Sequence, residues 1–391
     1  MFAKTYLCLA AAAASAVSGF SLPDFGQFAV DSGLALAGLN SIAVLNSLGN
    51  TQGACNVGNL KFRQEWRTLS PSQRKNYISS VKCMLNKPSI LPAGQAPGSH
   101  SLYDDFVWVH MNQTLFIHLT GNFFTWHRHF TNTFEKELQK CGYNGNLPYW
   151  EWGYDVNSPR DSPVFDGSDT SLGSDGAPVT HAGMQLLFPG NPNPVIFPPG
   201  TGGGCIQSGP FKGMNISLGP VNLPVYGSPT TTAAADPNQN NPRCVKRDMN
   251  PFIAKGWTTF RNTTEVILYK NNIKDFQGEF TGDPRTTSNP LGVHGGGHFT
   301  IGGDPGADAW ISPGDPAFYL HHGQVDRVFW IWQMLDFPNR QNVWGTTFFL
   351  DLVPSPNTTV NDIIDLSPLA PPVKIKDVMS TVAGPNCYVY I

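Results

Sequence analysis

Four of the chain's ten histidines fall in one aromatic stretch, Tyr103 to Glu135, at His110, His118, His127 and His129. A lone histidine on an apolar face is ordinarily a packed core residue. Repetition at this density points instead to a fold that gathers imidazoles for a metal, and that requirement constrains the chain more than any other feature. His110 and His118 stand eight apart. That spacing is about 80° of rotation at ~100° per residue, so one helix can present both toward one side. Gly121 and Asn122 break that helix, and Thr125 is placed to cap a second one carrying His127 near its start.

A second group, His294, His298, His321 and His322, lies in LGVHGGGHFTIGGDPGADAWISPGDPAFYLHHGQVDRVFW. His294 and His298 are spaced i, i+4. His322 belongs to a helix whose start is announced by Asp315 as N-cap and Pro316 at the first helical position. Each group can therefore supply three ligands. Imidazole suits copper, zinc, iron and nickel alike. Hydrolytic two-metal sites and non-haem iron sites, however, commonly include carboxylate ligands. No Asp or Glu lies between His110 and His127 or between His294 and His298, and all-nitrogen coordination favours a copper pair.

These segments resemble the copper A and copper B signatures of the tyrosinase, catechol oxidase and haemocyanin family of type 3 dicopper proteins. DPAFYLHHGQVD, Asp315 to Asp326, follows the pattern D-P-x-F-x-x-x-H-x-x-x-D without departure and places the ligand at His322 rather than His321. His118 to Glu135 matches nearly as well, with FFTWHR intact and Thr131 where the family prefers a large apolar residue. The resemblance implies a mainly α fold: a four-helix bundle around a dicopper site, with extensive ordered loops and a few short strands. It assigns His110, His118 and His127 to copper A and His294, His298 and His322 to copper B, leaving His129 and His321 as supporting or packing residues. It further implies oxidation of o-diphenols to o-quinones, with dioxygen reduced to water. The alternatives are a haemocyanin-like dioxygen-binding protein, or a true tyrosinase with strong monophenol hydroxylase activity.

Around the ligands, Phe318, four before His322, is expected to wall the site, and Phe299 is expected in the same pocket. Asp326, four after His322, is expected to orient a neighbouring imidazole or to pair with Arg128, the former being favoured because metal-bound histidines usually donate their second N–H to such groups. Gly295, Gly296 and Gly297 make a poor helix on propensity, at roughly 1 kcal/mol each against alanine, and are expected to leave room for a planar ring. In the family, monophenol hydroxylation is associated with an Asn directly after the first copper B histidine. Here Gly295 stands there, which favours catechols or o-aminophenols as substrates. Many relatives also carry a cysteine two residues before the second copper A histidine, bonded to its ring; that position is Phe116, so no thioether can form.

The start, MFAKTYLCLAAAAASAVSGF, reads as a secretory signal peptide over residues 1–18, leaving a single tyrosinase-like domain over 19–391. Nothing approaches the roughly 20 apolar residues of a membrane span. A net charge of −3 and a pI near 6.3 give no electrostatic case for nucleic acid or an anionic membrane. Charge thus points to neutral small molecules as partners, and the resemblance implies a small phenolic substrate and dioxygen. With 40 Gly, 33 Pro and only 14% charged residues, much of the chain must be ordered loop. The six cysteines after the signal peptide imply disulfides and allow fifteen connectivities. The expected set is Cys55 with Cys387, Cys83 with Cys141, and Cys205 with Cys244.

Sequons at Asn112, Asn215, Asn262 and Asn357 fit secretion, with Asn112 expected to be buried beside His110. Gly26 to Leu48 reads as an N-terminal helix packed on the core or as part of a propeptide. Ser70, Pro71 and Gln73 announce a capped scaffold helix. Residues 157–242 read as ordered rim loop stapled by Cys205 and Cys244, and 275–290 as loop. Tyr388 and Tyr390 resemble the Y-x-Y motif that closes the core domain in fungal and plant tyrosinases. Many relatives continue into a shielding domain for which this sequence has no room, so the enzyme is expected to be made active.

Overall fold

The computed structural model describes residues 23–186, 195–221, 225–226 and 232–391; the expected signal peptide lies outside them. Among the described residues the helices are α1 (Gln27–Asp31), α2 (Leu34–Gly49), α3 (Pro71–Asn86), α4 (Leu102–Ile117), α5 (Phe123–Lys140), α6 (Pro251–Trp257), α7 (Phe260–Tyr269), α8 (Ile273–Thr281), α9 (Gly292–Ile301), α10 (Ala317–Met334) and α11 (Ile375–Val378). The strands are two to four residues long, so the fold is mainly α, as expected. No described helix is long and apolar enough to cross a membrane.

α10 is the axis: each of its residues is buried, and it packs on α2, α5, α7 and α9. An all-buried helix can run through the centre only if its polar side chains find partners, because an unpaired buried polar group costs about 1–3 kcal/mol. Trp330 donates to Ser47 Oγ at 3.0 Å, and Arg327 donates to Asn40 Oδ1 at 2.9 Å. Both acceptors sit on α2, and Asn40 also donates to the Tyr390 carbonyl at 2.9 Å. These bonds pack α2 onto the core.

Local signals explain several helix starts. Ser70 and Gln73 form the expected capping box on α3, and Ser101 with Asp104 forms another on α4. The side chain of Asp315 caps α10 by accepting from Ala317 N at 2.9 Å, and the helix begins one residue later than expected. α5 begins at Phe123 with Asn122 as N-cap, three residues before the expected Thr125 cap; Thr125 Oγ1 instead reaches Asn122 Oδ1 at 3.3 Å. The segment expected as loop from 275 contains most of α8. Asn272 caps that helix at Asp275 N, Gly282 ends it at φ 69°, and Phe276 stacks on Trp332 with centroids 4.5 Å apart.

The rim between α5 and α6 is held by short strands: 176–178 pairs with 203–206, 215–216 with 243–244, and 184–186 with both 195–197 and 225–226. Arg247 ties this rim to the start of α10 through two bonds to Asp315, at 2.8 and 2.7 Å, and one to the Gly173 carbonyl at 2.9 Å. All three expected disulfides are present, Cys55–Cys387, Cys83–Cys141 and Cys205–Cys244. Asn112 is exposed, a correction to its expected burial, because two residues along a helix is about 200° and turns it away from buried His110.

Lys61–Arg63 pairs in parallel with Tyr388–Tyr390, closing the chain ends on the core. Arg63 donates from Nε to Glu135 Oε2 at 2.8 Å and from Nη1 to the Tyr390 hydroxyl at 3.0 Å. Asp326 accepts from Arg128 Nε at 2.6 Å, from Tyr388 Oη at 2.7 Å and from Tyr390 Oη at 2.6 Å. Burial alone would raise the Asp326 pKa, but the Arg128 and Arg63 guanidiniums and the two phenols outweigh it and hold it below its ordinary value. Asp326 therefore orients no imidazole, which corrects the favoured reading, and its pairing with Arg128 locks α10 to α5 and to the C-terminal strand.

Candidate metal centre

α4, α5, α9 and α10 bring the predicted ligands together in two trios that face each other. His110, His118 and His127 each place a ring nitrogen within 4.8 Å of the others, and so do His294, His298, His321 and His322. His110 leaves the middle of α4. His118 lies just beyond its end in extended conformation, φ −115° and ψ 138°, so it is not the second helical ligand that the eight-residue spacing suggested. Leaving the helix frees the backbone to swing the ring inward, and Leu119 follows with φ 50°.

The imidazoles of the first trio are oriented by main-chain carbonyls. His110 Nδ1 is 2.8 Å from the Trp310 carbonyl, His118 Nδ1 3.1 Å from that of Thr114, and His127 Nδ1 2.7 Å from that of Phe123. A carbonyl only accepts, so each Nδ1 carries the proton and each Nε2 keeps a free lone pair. Nε2 of His110 and of His127 is buried with no hydrogen-bond partner. Such orphaned acceptors are costly unless something completes them, and a cation that takes neutral imidazole fits that need.

In the second trio, His298 Nε2 is 3.2 Å from His294 Nε2 and 3.1 Å from His322 Nε2. The trios meet where the rings of His127 and His322 stack at 4.6 Å. Burial lowers the pKa of all six, to about 4 for His118 and about 3 for His298, which keeps them neutral as ligands must be. His321 stays within reach of this group, but its ring also packs 5.3 Å from Trp152 and 4.3 Å from His298 and stacks on His294 at 5.7 Å. His129 is buried on the far side of α5, outside both groups.

Phe318 stacks on His322 at 4.1 Å and reaches His110 at 5.5 Å, standing between the trios. The three glycines of α9 serve different needs. A Cβ on Gly297 would fall 2.2 Å from the His321 ring, and one on Gly296 would fall 2.6 Å from Trp257 Cβ. Those two are packing requirements, which corrects the expectation that all three open space for a ring. Gly295 alone meets nothing closer than 3.3 Å, the Leu291 side chain. Phe299, one turn beyond Gly295, stacks on Phe197 at 6.5 Å. The carbonyls of Trp310, Thr114 and Phe123 were not foreseen from sequence, since every residue type carries the same carbonyl.

Residues 100–335 match the family model described as the common central domain of tyrosinase. The chain is 39% identical over 339 residues to Tyrosinase P of Aspergillus terreus, spanning 84% of this chain and 91% of that one. It is 33% identical over 349 residues to an N-acetyl-6-hydroxytryptophan oxidase of Emericella nidulans, spanning 86% and 93%. Among solved structures, a polyphenol oxidase from Thermothelomyces thermophila superposes with a TM-score of 0.84 at 35% identity, spanning 91% of this chain and 97% of that one. With the trios of histidines in place, the chain belongs to the tyrosinase family of type 3 copper proteins. It is an oxidoreductase of that family, whose members bind copper and act on phenolic substrates with dioxygen.

Proposed function

We propose that this protein is a secreted dicopper oxidase of catechols and o-aminophenols, with His110, His118 and His127 holding one copper and His294, His298 and His322 the other. The observation that carries the reading is the pair of buried imidazole trios, neutral and with the unpartnered Nε2 atoms of His110 and His127 turned inward. Copper there supplies the electron transfer from phenol to dioxygen. The chain's own part is to fix the rings: carbonyls hold Nδ1–H, α9 and α10 converge three Nε2 atoms, and Phe318 keeps water from the space between the trios. The inward face of His322, stacked on His127, favours it over His321, which packs on Trp152. The signal peptide and the exposed sequons Asn112, Asn215 and Asn357 support secretion and glycosylation.

Catechols are favoured because Gly295 offers no side chain to help deprotonate a monophenol, whose pKa is near 10. A catechol can chelate or bridge the metals and needs less help. The relative named for N-acetyl-6-hydroxytryptophan supports a substrate larger than catechol itself. The test is kcat/KM for 4-methylcatechol against tyrosol, in wild type and in Gly295→Asn, a change the Leu291 side chain accommodates by a small shift. Wild type is expected to prefer the catechol by at least about tenfold, and Gly295→Asn to narrow the gap, on the 10²–10⁴-fold scale of a positioned acid–base group. Equal efficiency of wild type on both phenols would identify a true tyrosinase and remove this role from Gly295.

A further inference from the structure

A second polar group sits at the C-terminal end of α9, in a pocket that none of the six ligand histidines lines. It is walled by Phe299, Met184 and Pro198, and its polar groups are His181, Asp248 and Asn250. Asn250 is committed, capping α6 with Oδ1 and donating to the Pro198 carbonyl at 2.8 Å. His181 is not. Its side chain is only 4% exposed, and Gly183 N–H donates to its Nδ1 at 3.2 Å, which puts the ring proton on Nε2. That Nε2 lies 3.2 Å from Asp248 Oδ2, yet off the line of a hydrogen bond, so the buried N–H has no hydrogen-bond partner.

Asp248 is itself held in place, accepting from Gly200 N and Gly202 N at 3.2 Å each. A fixed N–H donor beside a fixed carboxylate acceptor matches one small group well, a hydroxyl, which accepts from the first and donates to the second. An anionic group would meet the carboxylate and be repelled.

The pocket continues the face of α9 that carries Gly295 and Phe299. From Gly295 to Gly302, which lines the pocket, is about 10 Å along the helix axis. That exceeds one phenol ring but is within reach of a ring bearing an arm.

We infer that His181 and Asp248 form a subsite that reads a terminal hydroxyl on an apolar arm of the phenolic substrate, and thereby select arm-bearing catechols. This rests on the catechol-oxidase reading and adds the chemistry of the substrate's far end.

The test uses the copper-loaded enzyme with two catechols of equal length, 4-pentylcatechol and 4-(5-hydroxypentyl)catechol. Wild type is expected to show a KM about five- to tenfold lower for the hydroxylated arm, the scale of one hydrogen bond to an otherwise unsatisfied buried group. His181→Phe is expected to bring the ratio of the two KM values close to one, while His181→Gln, whose amide restores a donor, recovers part of the preference. Equal KM values in wild type, or a His181→Phe variant in which both KM values move by the same factor, would overturn the subsite and leave the catechol-oxidase reading standing. Oxidation of neither catechol by wild type would overturn that reading, and the subsite with it.

Discussion

His127→Ala and His322→Ala are each expected to halve the copper bound per chain and to reduce catechol oxidation at least a hundredfold, more than the ~10–100-fold typical of losing a mere supporting partner. Each removes one of three nitrogens from a trio whose remaining members are fixed on their own helices or by packing and cannot move to compensate. The two rings also stack on each other, so either truncation opens the space between the trios. The matched controls are their histidine neighbours. His129→Ala lies outside both groups, and His321→Ala removes a ring packed between Gly297 and Trp152; both should keep their copper while losing stability. Metal analysis beside activity on the four variants decides the matter. Loss of copper from His321→Ala with retention in His322→Ala would reverse the assignment on α10.

Asp326→Ala is expected to have the largest effect on stability, a loss of about 3–5 kcal/mol, the usual result of removing one partner from a buried ion pair. The carboxylate is met by the Arg128 and Arg63 guanidiniums and two phenols, all buried, and its removal leaves two cations without their counter-charge. Its folded pKa is depressed, so its stabilisation is complete above the unfolded value near 4 and is withdrawn as pH falls through the lower folded value. Urea unfolding at pH 7 and at pH 3 should therefore show a difference between wild type and Asp326→Asn that shrinks in acid. The Asn variant retains the volume if Ala does not fold. Should either variant keep wild-type stability and lose copper instead, Asp326 would be acting on an imidazole after all.

The parts of this molecule that were legible in the sequence are those encoded by neighbours. The start of α10, the capping box of α3 and the i, i+4 pair on α9 are all written within a few residues. The site was legible because its ligands recur in two short patterns. His118 was misplaced on the helix because spacing says which side a residue faces only while the helix continues, and α4 stops one residue short. α8 was missed under its run of Gly, Asp and Thr, although Asn272, Phe276, Phe280 and Gly282 mark its cap, face and end. The roles of Gly296, Gly297 and Asp326 depend on Trp257, His321 and Arg63, which only the folded chain brings near. Periodicity carries no trace of such contacts, and Arg63 is 263 residues from Asp326.

If six imidazoles in two facing trios hold a copper pair, the metal content of the purified, copper-reconstituted wild-type protein must show it. Two coppers per chain are expected, both lost on treatment with a copper chelator together with catechol oxidation and both restored by copper but not by zinc. One metal per chain, or full occupancy by zinc with oxidation intact, would contradict it.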